Sequence, residues 1–353
     1  MDNSLQPFAA TTPAGYGPAQ LRGAYNLTGK ATGNPVVAVI DAYDQPNIAS
    51  NVNTYSTTFG LPTLPTCSGA IKSSSTACFQ KLDQKGGTNY PSQNAGWDLE
   101  TSLDVETVHA MCENCKILLV EAKSASFTDL LTAFDTAIAK GATIISNSYG
   151  GNESSGETTY DAHFQHPGLV MTFSSGDSGY GVSYPAASKY VTAVGGTTLN
   201  VNGSNGSFSY GSESVWSGAG SGCSAYESKP SFQTDSGCKK RTVVDVSADA
   251  DPSTGVAVYD TVKFQNKSGW FTVGGTSLAA PLVAAVYAQS TGIKSSTYAN
   301  SVPYADVSYT KTLHDIVTGA NDQSCSSYLC EGAKGYDGPS GLGSPNGISA
   351  FGM

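Results

Sequence analysis

Charge is what this 353-residue chain has least of: Asp, Glu, Lys and Arg make up 13% of it, against roughly 25% in ordinary globular proteins. Basic residues are the scarcer kind, 18 against 28 acidic, and the net charge is −10 at pH 7. Such a balance excludes nucleic acid as a partner, because few cations are available to replace the counterions of phosphates. No apolar run approaches the ~20 residues that span a bilayer, so no membrane segment is expected. No signal-peptide pattern opens the chain, and any targeting or pro-segment is expected upstream of it. There is no internal repeat and no linker-like run. The Gly/Ser/Asn-rich stretch 202–222 reads as loops and hairpins, so one domain over 1–353 is expected.

The shortage of charge also bears on pH. In acid the carboxylates neutralise and at most 18 Lys/Arg plus 4 His stay charged, a modest self-repulsion for a chain this long. Few salt bridges means little stability to lose as carboxylates protonate. The composition suits an acidic medium, and it equally suits any low-charge secreted protein.

What is there begins with eight cysteines in four local pairs: Cys67/Cys78, Cys112/Cys115, Cys223/Cys238 and Cys325/Cys330. An even count at close spacing suits disulfides in an oxidising compartment, with nearest-neighbour pairing favoured by short loops. Cys112-Glu113-Asn114-Cys115 also has the spacing of zinc and redox sites. With no second such motif beside it, a disulfide or free thiols are expected rather than zinc.

Short apolar runs at Val36–Ile40, Ile117–Val120, Thr143–Ser146, Leu169–Phe173 and Val243–Val246 read as buried parallel strands. Phe127, Leu130, Leu131, Phe134 and Ile138 recur at helical spacing, with Ser126 and Asp129 as a capping box and Gly141 as the stop. Ile48, Val52, Tyr55 and Phe59 mark another amphipathic helix. Strand–helix alternation gives an α/β class with a mostly parallel sheet flanked by helices on both faces.

Three segments carry chemistry. Gly274-Gly275-Thr276-Ser277-Leu278-Ala279-Ala280-Pro281 is a glycine turn, a serine, and an apolar helix running from Leu278 to about Ala288. It lifts Ser277 to a helix N-terminus, where main-chain N–H groups favour negative charge; alone, it also reads as an ordinary N-cap. In Trp97–Glu106, Glu100 and Asp104 lie four apart on one helix face. Like charges there repel, but a pair that shares a proton can do chemistry. Ser174-Ser175-Gly176-Asp177-Ser178-Gly179 puts a carboxyl on a turn at a strand's C-terminal end, where open α/β sheets place ligand crevices.

Together and in this order the three segments resemble the sedolisins, the serine-carboxyl peptidases, and the likeness runs from about Gly15 to Met353. The resemblance implies a subtilisin-like fold, with Ser277 as nucleophile, Glu100 as general base and acid, Asp104 as its orienter and Asp177 as oxyanion donor. It implies an acid-active, secreted endopeptidase made as a zymogen, acting on proteins and peptides, and expected to be a monomer. A carboxylate cannot donate a hydrogen bond, so Asp177 must be protonated to serve. That gives a bell-shaped pH profile, expected at about pH 3–5 for carboxyl catalysis. In the positions where several sedolisins carry a glutamate and a tryptophan, this chain offers Asp41 and Tyr149.

The resemblance further implies one structural Ca²⁺, held by the carboxylates of Asp315 and Asp337 and the carbonyls of Ile316, Ala333 and Gly335, a hard oxygen set. Without the resemblance those residues read as a polar loop with two aspartates. Five Asn-x-Ser/Thr sequons, at Asn26, Asn152, Asn202, Asn205 and Asn266, are open to glycosylation.

Two rivals remain. A subtilisin shares Gly-Thr-Ser, and Val37–Asp41 looks like the strand that carries its aspartate. It also needs a histidine in a His-Gly-Thr-His setting, which none of His109, His163, His166 and His314 has. His109 lies ~180° from Glu100 and ~140° from Asp104 around their helix, at ~100° per residue. The same arithmetic puts Asp98 and Glu106 ~160° and ~120° from Glu100, where solvated surface positions are expected; without a histidine base, Asp41 reads as a supporting or structural group. The second rival is a non-catalytic peptide- or glycan-binding relative, rich in Tyr and Gly; the presence of all four catalytic candidates favours the enzyme.

Overall fold

The structure is a computed structural model that describes residues 12–290, 292–306 and 308–352. The apolar runs pair as β1 (Val36–Ala42), β2 (Phe79–Asp83), β3 (Lys116–Ala122), β4 (Ile144–Asn147), β5 (Val170–Ser174), β6 (Thr192–Ser204), β7 (Ser207–Val215) and β8 (Val246–Asp249). They form one eight-stranded sheet in the order β8-β6-β5-β4-β1-β3-β2, with β7 on the outer part of β6. All pairs are parallel except β6–β7. β1 sits between β3 and β4, Val37 pairing with both Ile117 and Ile144. The chain crosses from one half of the sheet to the other there, which is where such sheets open a crevice at their carboxyl ends.

Parallel strands need long crossovers, and helices supply them. α1 (Pro18–Ala24) precedes the sheet; α2 (Ile48–Phe59), α3 (Ala95–Met111), α4 (Phe127–Ala139) and α5 (Thr276–Gln289) follow. Alternate residues of β1 face opposite sides. Val37 and Val39 pack in the layer of Leu99, Leu103 and Leu282 from α3 and α5. Ala38 and Ile40 pack with Leu130 and Phe134 of α4. At α4 the Ser126 hydroxyl accepts the Asp129 N–H at 3.3 Å, and Gly141 turns left-handed at φ +96°.

Two expectations are corrected. Val243–Val246 is not one strand: Lys240–Val243 pairs with Gly222–Ser228 in a separate ribbon, and the sheet strand begins at Val246. Asp98 and Glu106 are not on solvated surface. Every residue of α3 from Trp97 to Met111 is buried. The reason is a further layer, the antiparallel ribbon of β9 (Val256–Phe264) and β10 (Lys267–Val273), whose strand β9 packs against α3. Glu106 accepts the Tyr259 N–H at 2.9 Å, and burial pushes Asp98 up to about 7.

The four nearest-neighbour cysteine pairs are disulfides. The 202–222 stretch holds the β6–β7 hairpin turn, as expected. No helix of the described residues is long and apolar enough to cross a membrane.

Candidate active site

The ends of β4 and β5, the side of α3 and the start of α5 enclose a cleft of about 590 Å³. Ser277, Glu100 and Asp177 all line it, with Trp97, Phe127, Leu130 and Tyr149 as apolar walls.

Ser277 occupies the first turn of α5 and is half-buried, while its helix neighbours Thr276 and Leu278 are fully buried. The turn that carries it needs its glycines. Gly275 has φ +100°, a region other residues avoid, and a Cβ there would come within 2.9 Å of Asp177 Oδ2. Pro281, inside α5, has no N–H to return to the Ser277 carbonyl. The Ser148 hydroxyl donates to that carbonyl instead, at 3.2 Å, so the end of β4 is tied to the serine turn.

Glu100 faces Ser277 from α3. Burial raises its carboxyl; the Ser277 side chain beside it pulls the other way, and the charges of Asp41 and Asp177, where present, add to the rise. Asp104 lies one turn on, fully buried behind the cleft wall, raised by burial and then by the charges of Asp41 and Glu100. Asp41, at the end of β1, is fully buried and pushed up to about 7 by burial. Three carboxyls in one dry place cannot all ionise, so they titrate as a set. Tyr149 adjoins them, its hydroxyl donating to Asn147 Oδ1 at 2.9 Å.

Asp177 sits on the turn after β5 that Gly176 opens at φ +110°. Its Oδ1 accepts the Thr276 N–H at 2.7 Å and the Thr276 hydroxyl at 2.8 Å. Sequence reasoning passed over Thr276 and Ser148. Thr276 stood in the quoted serine motif; Ser148 was visible only as a residue just past a short strand.

No histidine lines the cleft among the described residues. His109 is buried on α3 with Nε2 2.8 Å from the Pro62 carbonyl, and burial lowers its pKa. His163 pairs with Asp135 at 2.9 Å, and His314 stacks on Tyr210.

The five residues expected to hold calcium are brought together elsewhere. Asp337 is fully buried, its carboxyl accepting the Ala333 N–H at 2.9 Å and the Ser340 N–H at 2.9 Å. Asp315 accepts the Gly335 N–H at 3.1 Å. The Ile316 carbonyl comes so close that a Cβ on Gly332 would stand 3.0 Å from it. Burial, with the Asp315 charge adding to it, pushes Asp337 up to about 7. Two carboxyls and the Ile316 carbonyl gathered on one loop region are oxygen donors of the kind a hard cation takes. No cluster of three or more His, Cys, Asp or Glu suited to a metal occurs among the described residues.

Comparison with known proteins agrees with this layout. The model of the subtilase family, Peptidase_S8, matches residues 73–308. The chain is 28% identical to sedolisin of Pseudomonas sp. (strain 101) over 97% of its own length and 62% of that protein's. It is 32% identical to kumamolisin of Bacillus sp. (strain MN-32) over 74% of its length and 52% of that protein's. Thus the chain spans between half and two thirds of the length of these relatives. The solved structure of Pseudomonas sedolisin, a serine-carboxyl proteinase, in complex with pseudo-iodotyrostatin superposes with a TM-score of 0.76 at 27% identity. It covers 95% of this chain and 96% of that one.

Proposed function

The chain belongs to the subtilase family, in its sedolisin group, and from that premise we propose that it hydrolyses peptide bonds in acid with Ser277 as nucleophile and Glu100 as base. The observation that carries this reading is the pairing of Ser277 with a buried carboxyl, Glu100, in a cleft that no histidine among the described residues lines.

The competent form has one proton missing from the Glu100–Asp104–Asp41 set, with the vacancy on Glu100. The first proton leaves such a set most easily, because its neighbours are then still neutral; later ones leave against like charge. Ser277 Oγ attacks the peptide carbonyl as its proton passes to Glu100. The carbonyl oxygen becomes an oxyanion and takes hydrogen bonds from protonated Asp177 and from the Ser277 N–H, one of the unpaired donors at the start of α5. Glu100 returns the proton to the departing amine, leaving an ester on Ser277. Water, giving a proton to Glu100, opens the ester, and that proton restores the serine. Asp104 keeps Glu100 in place and shares its proton.

Protein and peptide chains are the substrates, and the apolar walls of the cleft take their side chains. The 1–353 chain acts as one catalytic domain, and its disulfides suit secretion. Asp315, Asp337 and the carbonyls of Ile316, Ala333 and Gly335 would hold a calcium ion; bound, it would staple the loops near the chain's end and take no part in the reaction.

Labelling with a peptidyl fluorophosphonate in acid tests the reading. The label is expected on Ser277 by tandem mass spectrometry and to be lost in Glu100→Gln. Labelling of another residue, or equal labelling of Glu100→Gln, overturns it.

A further inference from the structure

Thr276 does more than precede the nucleophile. Its Oγ1 accepts the Gly176 N–H at 3.1 Å. A main-chain N–H can only donate, so the hydroxyl proton is left to point elsewhere, and it points at Asp177 Oδ1, 2.8 Å away. The Thr276 N–H donates to the same oxygen at 2.7 Å. One oxygen of Asp177 therefore receives two donors from a single residue, while Oδ2 stands beside Gly275, at the start of the serine turn.

We infer that Thr276 is a positioning residue that makes Oδ1 the accepting oxygen of Asp177 and so holds the carboxyl's proton on Oδ2. This rests on the proposed oxyanion role of Asp177. A carboxylic acid has one proton and two oxygens, and an oxyanion donor is useful only when the proton faces the oxyanion. Two donors to Oδ1 make that oxygen the poorer place for the proton. They also hold the carboxyl from rotating, so no reorganisation is left for the reacting complex. The contacts come from the residue adjoining Ser277, so nucleophile and oxyanion donor are fixed by one turn of chain. Gly176, on the Asp177 turn, closes the loop by donating to Thr276.

The test is kinetics of Thr276→Val, which keeps shape and the main-chain N–H but loses the hydroxyl, beside Thr276→Ser, which keeps it. Removal of a whole oxyanion donor costs about 10²–10³ in kcat. Thr276→Val is expected to lose at least about 10-fold in kcat with KM little changed, since the loss falls on the transition state. Its alkaline limb should move to higher pH, because a donor to the ionised carboxyl has gone; Glu100, the charged group that faces Asp177 from α3, is the same in both variants. Thr276→Ser should restore both. In an Asp177→Ala background the Val substitution should have little further effect on kcat. Wild-type kcat in Thr276→Val, an alkaline limb that stays or moves down, or a Thr276→Ser no better than Thr276→Val overturns the proposal. Should Thr276→Val fail to fold, Thr276→Ala replaces it under the same criteria. Full activity in Ser277→Ala would instead overturn the proposed function.

Discussion

A side chain on Gly275 would collide with Asp177: its Cβ would lie 2.9 Å from Oδ2. The glycine is required twice over, by this contact and by its φ of +100°. Gly275→Ala is therefore expected to lower kcat/KM by about 10² or more, the scale of a displaced oxyanion donor, in a protein whose far-UV circular dichroism is unchanged. Wild-type kcat/KM would mean that Asp177 has no fixed relation to the serine turn.

Acid should stabilise the fold. Burial raises Asp41, Asp98 and Glu157 to about 7 and Glu121 and Glu227 to about 8. Each folded value lies above the unfolded one of about 4, so the stability it contributes is full below about pH 4 and is lost as pH rises through 7–8. The melting temperature is expected to fall between pH 5 and pH 8 in scanning calorimetry. A rise over that interval would contradict the burial of neutral carboxyls.

Asp41 stays protonated while Glu100 carries the single charge, and its own ionisation would raise both Glu100 and Asp104. Asp41→Asn keeps that position neutral, so the acid limb of kcat should hold its place, with activity retained. A limb that moves to lower pH would mean that Asp41 is charged in the competent form, contrary to the proposed distribution of protons.

Chelation tests the calcium proposal. EGTA is expected to lower the melting temperature and added Ca²⁺ to restore it, while Asp337→Asn should weaken the response. A melting temperature indifferent to EGTA would leave Asp315 and Asp337 as a hydrogen-bonded loop.

Much of this was legible in the sequence, because turns and short periodic segments are local. Ser277, Glu100 and Asp177 line one cleft as their motifs implied, and the cysteines pair by nearest neighbour. The failures are non-local. Periodicity assigned Asp98 and Glu106 to solvent because helices usually have a wet face, but α3 is packed against both α5 and β9. Nothing within α3 announces a ribbon some 150 residues later in the chain. Val243–Val246 looked like one strand because it is a short valine-rich run; only pairing partners divide it. Thr276's hold on Asp177 spans 99 residues, so spacing could not reveal it.

The most direct test is hydrolysis of a protein substrate by wild type, Ser277→Ala and Glu100→Ala across pH 2–8. The expected result is a bell on the acid side, with both variants inactive throughout. Activity that survives Glu100→Ala and climbs toward neutrality, with an apparent pKa near the ~6.5 of histidine, would contradict a carboxyl base for Ser277.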